Sequence, residues 1–218
     1  MGLSAIVHTF EIALNDADRG VYEQLEFRLA RHPSETAEYL LTRVLAYALE
    51  FAPGLAFSAG GLSDPDSPAL EIRDLTGRLQ SWIEVGLPEP ARLHKAAKAA
   101  PRVAVYAHRD PGNLLSRLRS EPTYRVTDIE FYAIDRELLA ALSARLDRRM
   151  RFDLAVTGRE LYIGLGQGHL QRCRGGLPGQ ACLRVDIGGY KALESAPGGR
   201  NPLDYHGYGQ PQIVRPRA

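Results

Sequence analysis

Lysine is nearly absent from this chain, which contains three lysines and twenty-four arginines. In a composition that favours arginine so strongly, each lysine is an exception. Lys95 and Lys98 follow Glu84 closely, whereas Lys191 lies near the carboxyl end. Arginine cannot replace a lysine whose pKa must be tuned by its surroundings, and a carboxylate followed by a lysine is typical of metal-dependent phosphodiester chemistry. Chance retention of two lysines on a solvated helix face explains the same pattern.

Cysteine and long apolar segments are also scarce. Cys173 and Cys182 have no neighbouring metal ligands and are too few for a disulfide scaffold. No apolar stretch approaches the roughly eighteen residues of a membrane span, and the first residues do not resemble a signal peptide. The G-x-x-x-x-G-K-[ST] pattern of a phosphate-binding loop is absent. We therefore expect a cytoplasmic protein without a membrane partner.

The net charge of +1 argues against a strongly basic nucleic-acid-binding surface, but the charge is unevenly distributed. Residues 1–170 contain 20 basic and 23 acidic side chains, whereas residues 171–218 contain 7 and 3. The second segment also contains nine glycines and five prolines and has no sustained periodicity. The sequence therefore predicts one domain over residues 1–170, followed by a basic Gly/Pro-rich tail that is mostly irregular.

Hydrophobic periodicity predicts an α/β protein. Alternating apolar residues from Ile6 to Leu14, and again around Phe27, indicate an N-terminal β-hairpin. Ser34 is expected to cap a long helix that ends near Glu50. Strands and helices then alternate, which favours a mixed sheet with some parallel pairs, flanked by helices. The later elements are predicted as strands at 55–57, 70–74, 79–85, 103–106, 126–134, 152–156 and 161–163, and as helices at 89–100, 113–118 and 136–146.

Glu84 is the most informative carboxylate, because it lies in an apolar strand and shares a face with Trp82. Ionised groups are rarely buried without a partner. Mg²⁺ usually takes one or two carboxylates together with phosphate oxygens and water. Asp66 is the first choice for the second ligand, since it lies just beyond the residues 69–70 expected opposite Glu84, and Asp74 is the reserve. A turn role explains Asp66 equally well and Asp74 better.

Lys95 lies in the predicted helix 89–100, on the side opposite the expected buried face. That face is formed by Leu93, Ala96, Ala97 and Ala100. Lys95 is therefore expected in solvent unless a cleft opens there, in which case its charge would stabilise developing phosphoryl charge or orient the attacking water. Glu35 is either a further metal-site carboxylate or a first-turn partner of the helix dipole. His32 and Ser34 do not form an evident catalytic triad.

Several segments together resemble the YaeQ family. They are Arg31-His32-Pro33-Ser34-Glu35-Thr36, then Gly61-Leu62-Ser63 with Asp66 and Pro68, Asp74-Leu75-Thr76-Gly77, Trp82-Ile83-Glu84-Val85-Gly86-Leu87-Pro88, and Lys95-Ala96. The likeness covers roughly residues 1–170. It implies a variant of the restriction-endonuclease-like PD-(D/E)xK fold, which is a mixed sheet flanked by helices.

The resemblance also implies roles for individual residues. The signature of that superfamily is an aspartate, a second carboxylate and a lysine. Asp66 and Glu84 would be the two carboxylates, and Glu35 would be the helix-borne carboxylate that often joins such sites. Gly86 occupies the place where the lysine usually stands, so Lys95 from the next helix would replace it.

These observations favour a Mg²⁺-dependent phosphodiesterase or nuclease-like enzyme, monomeric and acting on nucleic acid. The second hypothesis is a non-catalytic binding or regulatory module on a nuclease-like scaffold. The missing lysine two residues after Glu84 and the net negative charge of residues 1–170 favour this second hypothesis. A protein–protein adaptor is a third possibility. Fold alone does not decide among them.

Overall fold

The computed structural model of the chain describes residues 5–58, 66–120, 128–158, 160–165, 183–186 and 188–191. The helices are α1 (Ala37–Leu49), α2 (Pro90–Ala99), α3 (Gly112–Ser120) and α4 (Arg136–Ser143). The strands are β1 (Ile6–Asp16), β2 (Val21–Arg31), β3 (Leu55–Phe57), β4 (Leu70–Arg73), β5 (Leu79–Val85), β6 (Arg102–Ala107), β7 (Ile129–Ala133), β8 (Arg149–Thr157), β9 (Glu160–Gly164), β10 (Leu183–Asp186) and β11 (Gly188–Lys191). None of these helices is long and apolar enough to cross a membrane.

The first sheet has the strand order β10-β9-β8-β1-β2 and contains the predicted N-terminal hairpin. β1 and β2 pair antiparallel from Ile6 opposite Arg31 to Asp16 opposite Val21. Buried and half-buried residues alternate along β1, which is the two-residue period of a strand covered on one face. The hairpin is confirmed, and on its other side β1 pairs parallel with β8.

The second sheet has the order β11-β7-β6-β5-β4-β3. β5, β6 and β7 are parallel and are connected through α2 and α3, whereas β3, β4 and β5 are antiparallel. Mixed pairing is therefore confirmed, and the described strands form two mixed sheets where the sequence predicted a mixed sheet. Periodicity identifies strands without identifying their partners, and β1 pairs with a strand near the other end of the domain.

Helix α1 lies between the sheets, since it contacts both β1 and β5, and it packs against α4. The larger hydrophobic core joins Phe10 of the first sheet, Leu41 of α1 and Ile83 of the second sheet. α2 and α3 cover the opposite face of the second sheet, in a smaller core that includes Trp82. Alternation along β5 therefore directs Ile83 toward α1 and directs Trp82, together with Glu84, toward α2.

The start of α1 differs from the prediction. Thr36, not Ser34, is the N-cap, and its hydroxyl accepts a hydrogen bond from the Tyr39 amide at 3.2 Å. The Ser34 hydroxyl instead lies 2.6 Å from Nδ1 of His32, in a turn closed by a hydrogen bond from the Glu35 amide to the His32 carbonyl. Because this local side-chain bonding competes with helical geometry, the helix begins after the turn.

A partly buried charged cluster attaches the carboxyl end of α1 to the second sheet. Arg102 donates to both carboxylate oxygens of Glu50, at 2.7 and 2.9 Å, and to Glu130 at 2.6 and 3.3 Å. The Tyr106 hydroxyl donates to Glu50 at 2.8 Å. Burial alone would raise the pKa of Glu50, but the charge and hydrogen bonds of Arg102 hold that pKa below its ordinary value. We call these four residues the Arg102 cluster.

Two short strands belong to the segment that was predicted as a tail. β10 pairs with β9 at the edge of the first sheet, and β11 pairs with β7 at the edge of the second. The remainder of residues 171–218, including both cysteines, lies outside the described residues. The prediction that most of this segment is irregular therefore stays a prediction.

Candidate functional site

Contacts link Glu84, Arg92, Asp66 and Lys95 near the carboxyl end of strand β5, which is parallel to β6. Val85 and Tyr106 are partners near the ends of these two strands. The first turn of α2 reaches the same place, because Arg92 contacts Glu84. In open α/β sheets ligands bind outside the carboxyl ends of the strands, so this edge is where a functional site is expected.

Glu84 presents a desolvated carboxylate, since its side chain is only 4% exposed and that of Arg92 above it is 26% exposed. One carboxylate oxygen, Oε1, accepts hydrogen bonds from Nε1 of Trp82 at 2.6 Å and from Nε of Arg92 at 2.7 Å. Burial raises the pKa of Glu84, and the bonds from Trp82 and Arg92 oppose that rise. The expectation that a carboxylate in this strand has a partner is confirmed, and the partner is an arginine.

Arg92 connects Glu84 to the segment that contains Asp66. Its Nη2 donates to the main-chain carbonyl of Ser67 at 2.7 Å, and its guanidinium lies 6.0 Å from the ring centroid of Trp82. Ser67 is the neighbour of Asp66 in the sequence. One arginine therefore holds strand β5 and the 66–67 segment together across the amino end of α2.

Asp66 and Lys95 form an ion pair. The Asp66 side chain is 77% exposed and that of Lys95 is 47% exposed, so the pair lies at the outer rim of the site. Arg92 and Lys95 are three residues apart on α2 and thus share one side of the helix. The predicted buried face of this helix is also confirmed, because Leu93, Ala96, Ala97 and Ala100 are all buried.

Glu35 is not helix-borne, because α1 begins at Ala37. Its fully buried carboxylate accepts a hydrogen bond from Nη1 of Arg43 at 2.9 Å and another from the His32 amide at 3.0 Å. These contacts fix the turn before α1 and engage both carboxylate oxygens. Glu35 thus stabilises the wall of the site, and its oxygens face protein donors.

Tyr39 is within electrostatic reach of both the Glu35–Arg43 and the Glu84–Arg92 pair. Burial raises the pKa of the Tyr39 phenol to about 12; the positive charge of Arg43 opposes the rise, while Glu84 and Glu35 add to it. The Tyr39 ring packs edge-on against His108, with the ring centroids 5.6 Å apart. Tyr39 is therefore a neutral phenol at physiological pH, in the field of four charged side chains.

Gly86 explains why no lysine stands two residues after Glu84. Its φ of +97° favours glycine, and a Cβ built there would lie 3.2 Å from Cε2 of Tyr39 and 3.6 Å from Cε1 of His108. A lysine at this position would combine backbone strain with crowding against the Tyr39 ring. Lys95 reaches Asp66 from α2 without either cost.

Asp74 is not brought to the site. It lies at the β4–β5 turn, where Oδ1 accepts from the hydroxyl and amide of Thr76 and from the amide of Arg78, and Oδ2 accepts from Gln80. The hydrogen bond from the Thr76 hydroxyl is the main cause of the lowered pKa of Asp74. The turn role anticipated for Asp74 accounts for all of these contacts.

Sequence reasoning missed Arg92, Arg43 and Tyr39. Arginine is so common in this chain that no single arginine is conspicuous. Two signals were nonetheless available. Tyr39 and Arg43 follow Glu35 at intervals of four, which places them along one side of a helix. Arg92 lies in the first turn of α2, where the helix dipole disfavours a cation.

The fold and the site together define a mixed α/β protein in which carboxylates pair with arginine and lysine side chains near the carboxyl ends of parallel strands. The sequence profile of the YaeQ protein family matches residues 1–172. The chain therefore belongs to the YaeQ family. It is 27% identical over 172 residues to "Uncharacterized protein YaeQ" of Escherichia coli strain K12, covering 78% of this chain and 94% of that protein. The protein of the same name from Salmonella typhi is 28% identical, with the same coverage.

Two solved structures are similar over most of the chain. The crystal structure of YaeQ protein from Pseudomonas syringae has a TM-score of 0.72 at 28% identity, covering 85% of this chain and 95% of that chain. The crystal structure of YaeQ protein from Xanthomonas axonopodis pv. citri has a TM-score of 0.68 at 29% identity, covering 87% and 100%.

Proposed function

We propose that this chain is a Mg²⁺-dependent phosphodiesterase acting on nucleic acid, on a restriction-endonuclease-like scaffold. One observation supports the proposal most. Asp66 and Glu84, from separate segments, are engaged by Lys95 and Arg92 from one side of α2. Acidic oxygens that would bind a cation thus lie next to positive groups that would bind phosphate.

The proposal requires a cation that is only partly bound by protein. Mg²⁺ commonly keeps several water ligands and uses one or two carboxylates together with substrate phosphate. Asp66 and Glu84 supply two carboxylates. Among the described residues, no group of three His, Cys, Asp or Glu side chains is placed to hold a metal, so an all-protein cage is not proposed. When bound, the cation would supply Lewis acidity and lower the pKa of its water.

The other residues have distinct roles in this proposal. Lys95, at the rim, would stabilise negative charge developing on the phosphoryl oxygens. Trp82 orients the Glu84 carboxylate through its indole N–H. The Glu35–Arg43 pair fixes the wall that contains Tyr39 and takes no part in holding the cation.

A non-catalytic nucleic-acid-binding module is the second candidate. The favouring observation is that Arg92 already neutralises Glu84, as a purely structural ion pair would. In that case Lys95 and its neighbours would bind phosphate without any cleavage. The two candidates differ in whether a bound cation leads to turnover.

Calorimetric titration with Mn²⁺ and Mg²⁺ tests the cation site. We expect Glu84→Gln and Asp66→Asn each to lower the cation affinity at least about tenfold, because each removes the charge of a proposed ligand. Loss of a residue that only supports a ligand already lowers metal affinity by about this factor. Asp74→Asn is the matched control and is expected to leave the affinity unchanged. Because burial raises the pKa of Glu84, protons should compete with the cation at higher pH than they would at an ordinary glutamate.

Absence of Mn²⁺ uptake by the unaltered protein at millimolar concentration would contradict the site. An equal loss of cation affinity in Asp74→Asn would also contradict it.

Cleavage of a single-stranded DNA oligonucleotide separates the two candidates. Lys95→Ala is expected to retain Mn²⁺ binding and lose cleavage, whereas Lys98→Ala, at an exposed position on the same helix, retains both. Mn²⁺ binding with no cleavage by the unaltered protein would favour the binding module.

A further inference from the structure

Arg92 occupies a position that the stability of its own helix does not explain. It lies in the first turn of α2, where the macrodipole favours acidic residues, and this turn contains none. The cap residue Glu89 makes no side-chain capping hydrogen bond. The contacts that Arg92 makes outside the helix include Glu84 on one side and the Ser67 carbonyl on the other, and they favour its position there.

The Arg92 contacts are also of the kind that a divalent cation would replace. Its Nε donates to Oε1 of Glu84, the oxygen that also accepts from Trp82. Two positive groups at one carboxylate repel each other strongly in a poorly solvated place. A cation on Glu84 and the guanidinium at Oε1 of the same carboxylate therefore compete, and Trp82 keeps the carboxylate oriented for either of them.

We infer that Arg92 is a substrate-positioning residue with two alternative partners: it pairs with Glu84 while no cation is bound, and it pairs with a phosphodiester oxygen once a cation occupies Glu84. This inference rests on the proposed function and specifies its substrate as an anionic phosphodiester. The planar fork of the guanidinium matches two phosphate oxygens, which an ammonium group does not. The Arg92 side chain is 26% exposed and that of Glu84 is 4% exposed, so an anionic substrate would meet the guanidinium before the carboxylate.

The inference predicts opposite changes in two affinities of one variant. Arg92→Ala should bind Mn²⁺ at least about tenfold more tightly than the unaltered protein, because the competing guanidinium is gone. A change of about tenfold corresponds to the strength of one hydrogen bond to a charged group. With Mn²⁺ saturating, the same variant should bind a phosphorothioate-linked single-stranded DNA octamer at least about tenfold more weakly, on the same scale. Calorimetry measures the first affinity, and fluorescence anisotropy of a labelled octamer measures the second.

Arg92→Lys provides a second, independent readout, because it keeps the charge and loses the fork. It should keep the weaker Mn²⁺ affinity of the unaltered protein and still lose octamer affinity. Lys98→Ala is the control for general loss of positive charge and should change neither affinity. Circular dichroism spectra matching those of the unaltered protein would show that each variant is folded.

The inference and the proposed function fail in different ways. If the unaltered protein binds Mn²⁺ through Glu84 but Arg92→Ala binds it equally or more weakly, Arg92 is a structural partner and the inference alone is overturned. If neither the unaltered protein nor Arg92→Ala binds Mn²⁺, the proposed function is overturned as well. Unchanged octamer affinity in both Arg92 variants would contradict the phosphate contact.

Discussion

Replacing Arg102 with Met should destabilise the protein by about 3–5 kcal/mol, the usual cost of removing one partner from a buried ion pair. Arg102 donates two hydrogen bonds to Glu50, which is buried at the carboxyl end of α1. The variant would leave that carboxylate without its cation, at the end of a helix whose dipole already disfavours negative charge. Chemical unfolding with urea measures the free energy of unfolding.

The double variant Glu50→Gln/Arg102→Met should recover much of the loss, because the buried charge of Glu50 is then removed, while the remaining carboxylate, Glu130, is 25% exposed to water. The pH dependence gives a second check. The pKa of Glu50 is lowered in the folded protein, so the stability from this pair is present above the unfolded-state pKa of about 4.5 and disappears as pH falls through the folded-state value. The deficit of Arg102→Met should therefore shrink at acidic pH. A loss below about 1 kcal/mol at neutral pH, typical of an exposed pair, would contradict the role given to the Arg102 cluster.

The second large effect is expected at the wall of the candidate site. Arg43→Met should also cost about 3–5 kcal/mol, because the fully buried Glu35 carboxylate would lose its cation. Arg31 is the matched control, since its Nε bonds only the main-chain carbonyl of Glu35 and leaves the carboxylate pair intact. Arg31→Met should cost about 1 kcal/mol, the net value of one hydrogen bond.

Thermal and urea unfolding of both variants provide the comparison. Equal losses in Arg43→Met and Arg31→Met would show that the buried charge is not the reason for the effect. The double variant Glu35→Gln/Arg43→Met removes both charges of the pair. It should be more stable than Arg43→Met alone, because no unpaired carboxylate is then left buried.

Local patterns predicted most elements of the fold but not their assembly. The alternation along β1 and the buried face of α2 were both evident in the sequence, because side-chain periodicity directly reflects burial. The partnership of β1 with β8 was not, because strand pairing across the whole domain leaves no local signature. Ser34 and Thr36 are both good helix caps, so the sequence does not choose between them. In the structure the Ser34 hydroxyl bonds His32 in a turn, and Thr36 caps the helix.

Two contacts near the candidate site could be anticipated from the sequence. Asp66 and Lys95 do meet, and Glu84 is a buried strand carboxylate with a charged partner, which follows from the cost of burying an unpaired charge. Arg92 is the partner of Glu84, and Arg43 is the partner of Glu35. Both pairings depend on which side chains the tertiary fold brings together. Propensity and spacing along the chain do not determine such contacts.

The most direct test of the account is to locate Mn²⁺ by anomalous scattering in a crystal of the full chain. We predict one strong anomalous peak within coordinating distance of both Asp66 and Glu84, with the Arg92 guanidinium moved away from Glu84. A peak at Asp74 or elsewhere on the surface, or no peak with Arg92 still bonded to Glu84 in saturating Mn²⁺, would contradict the central claim.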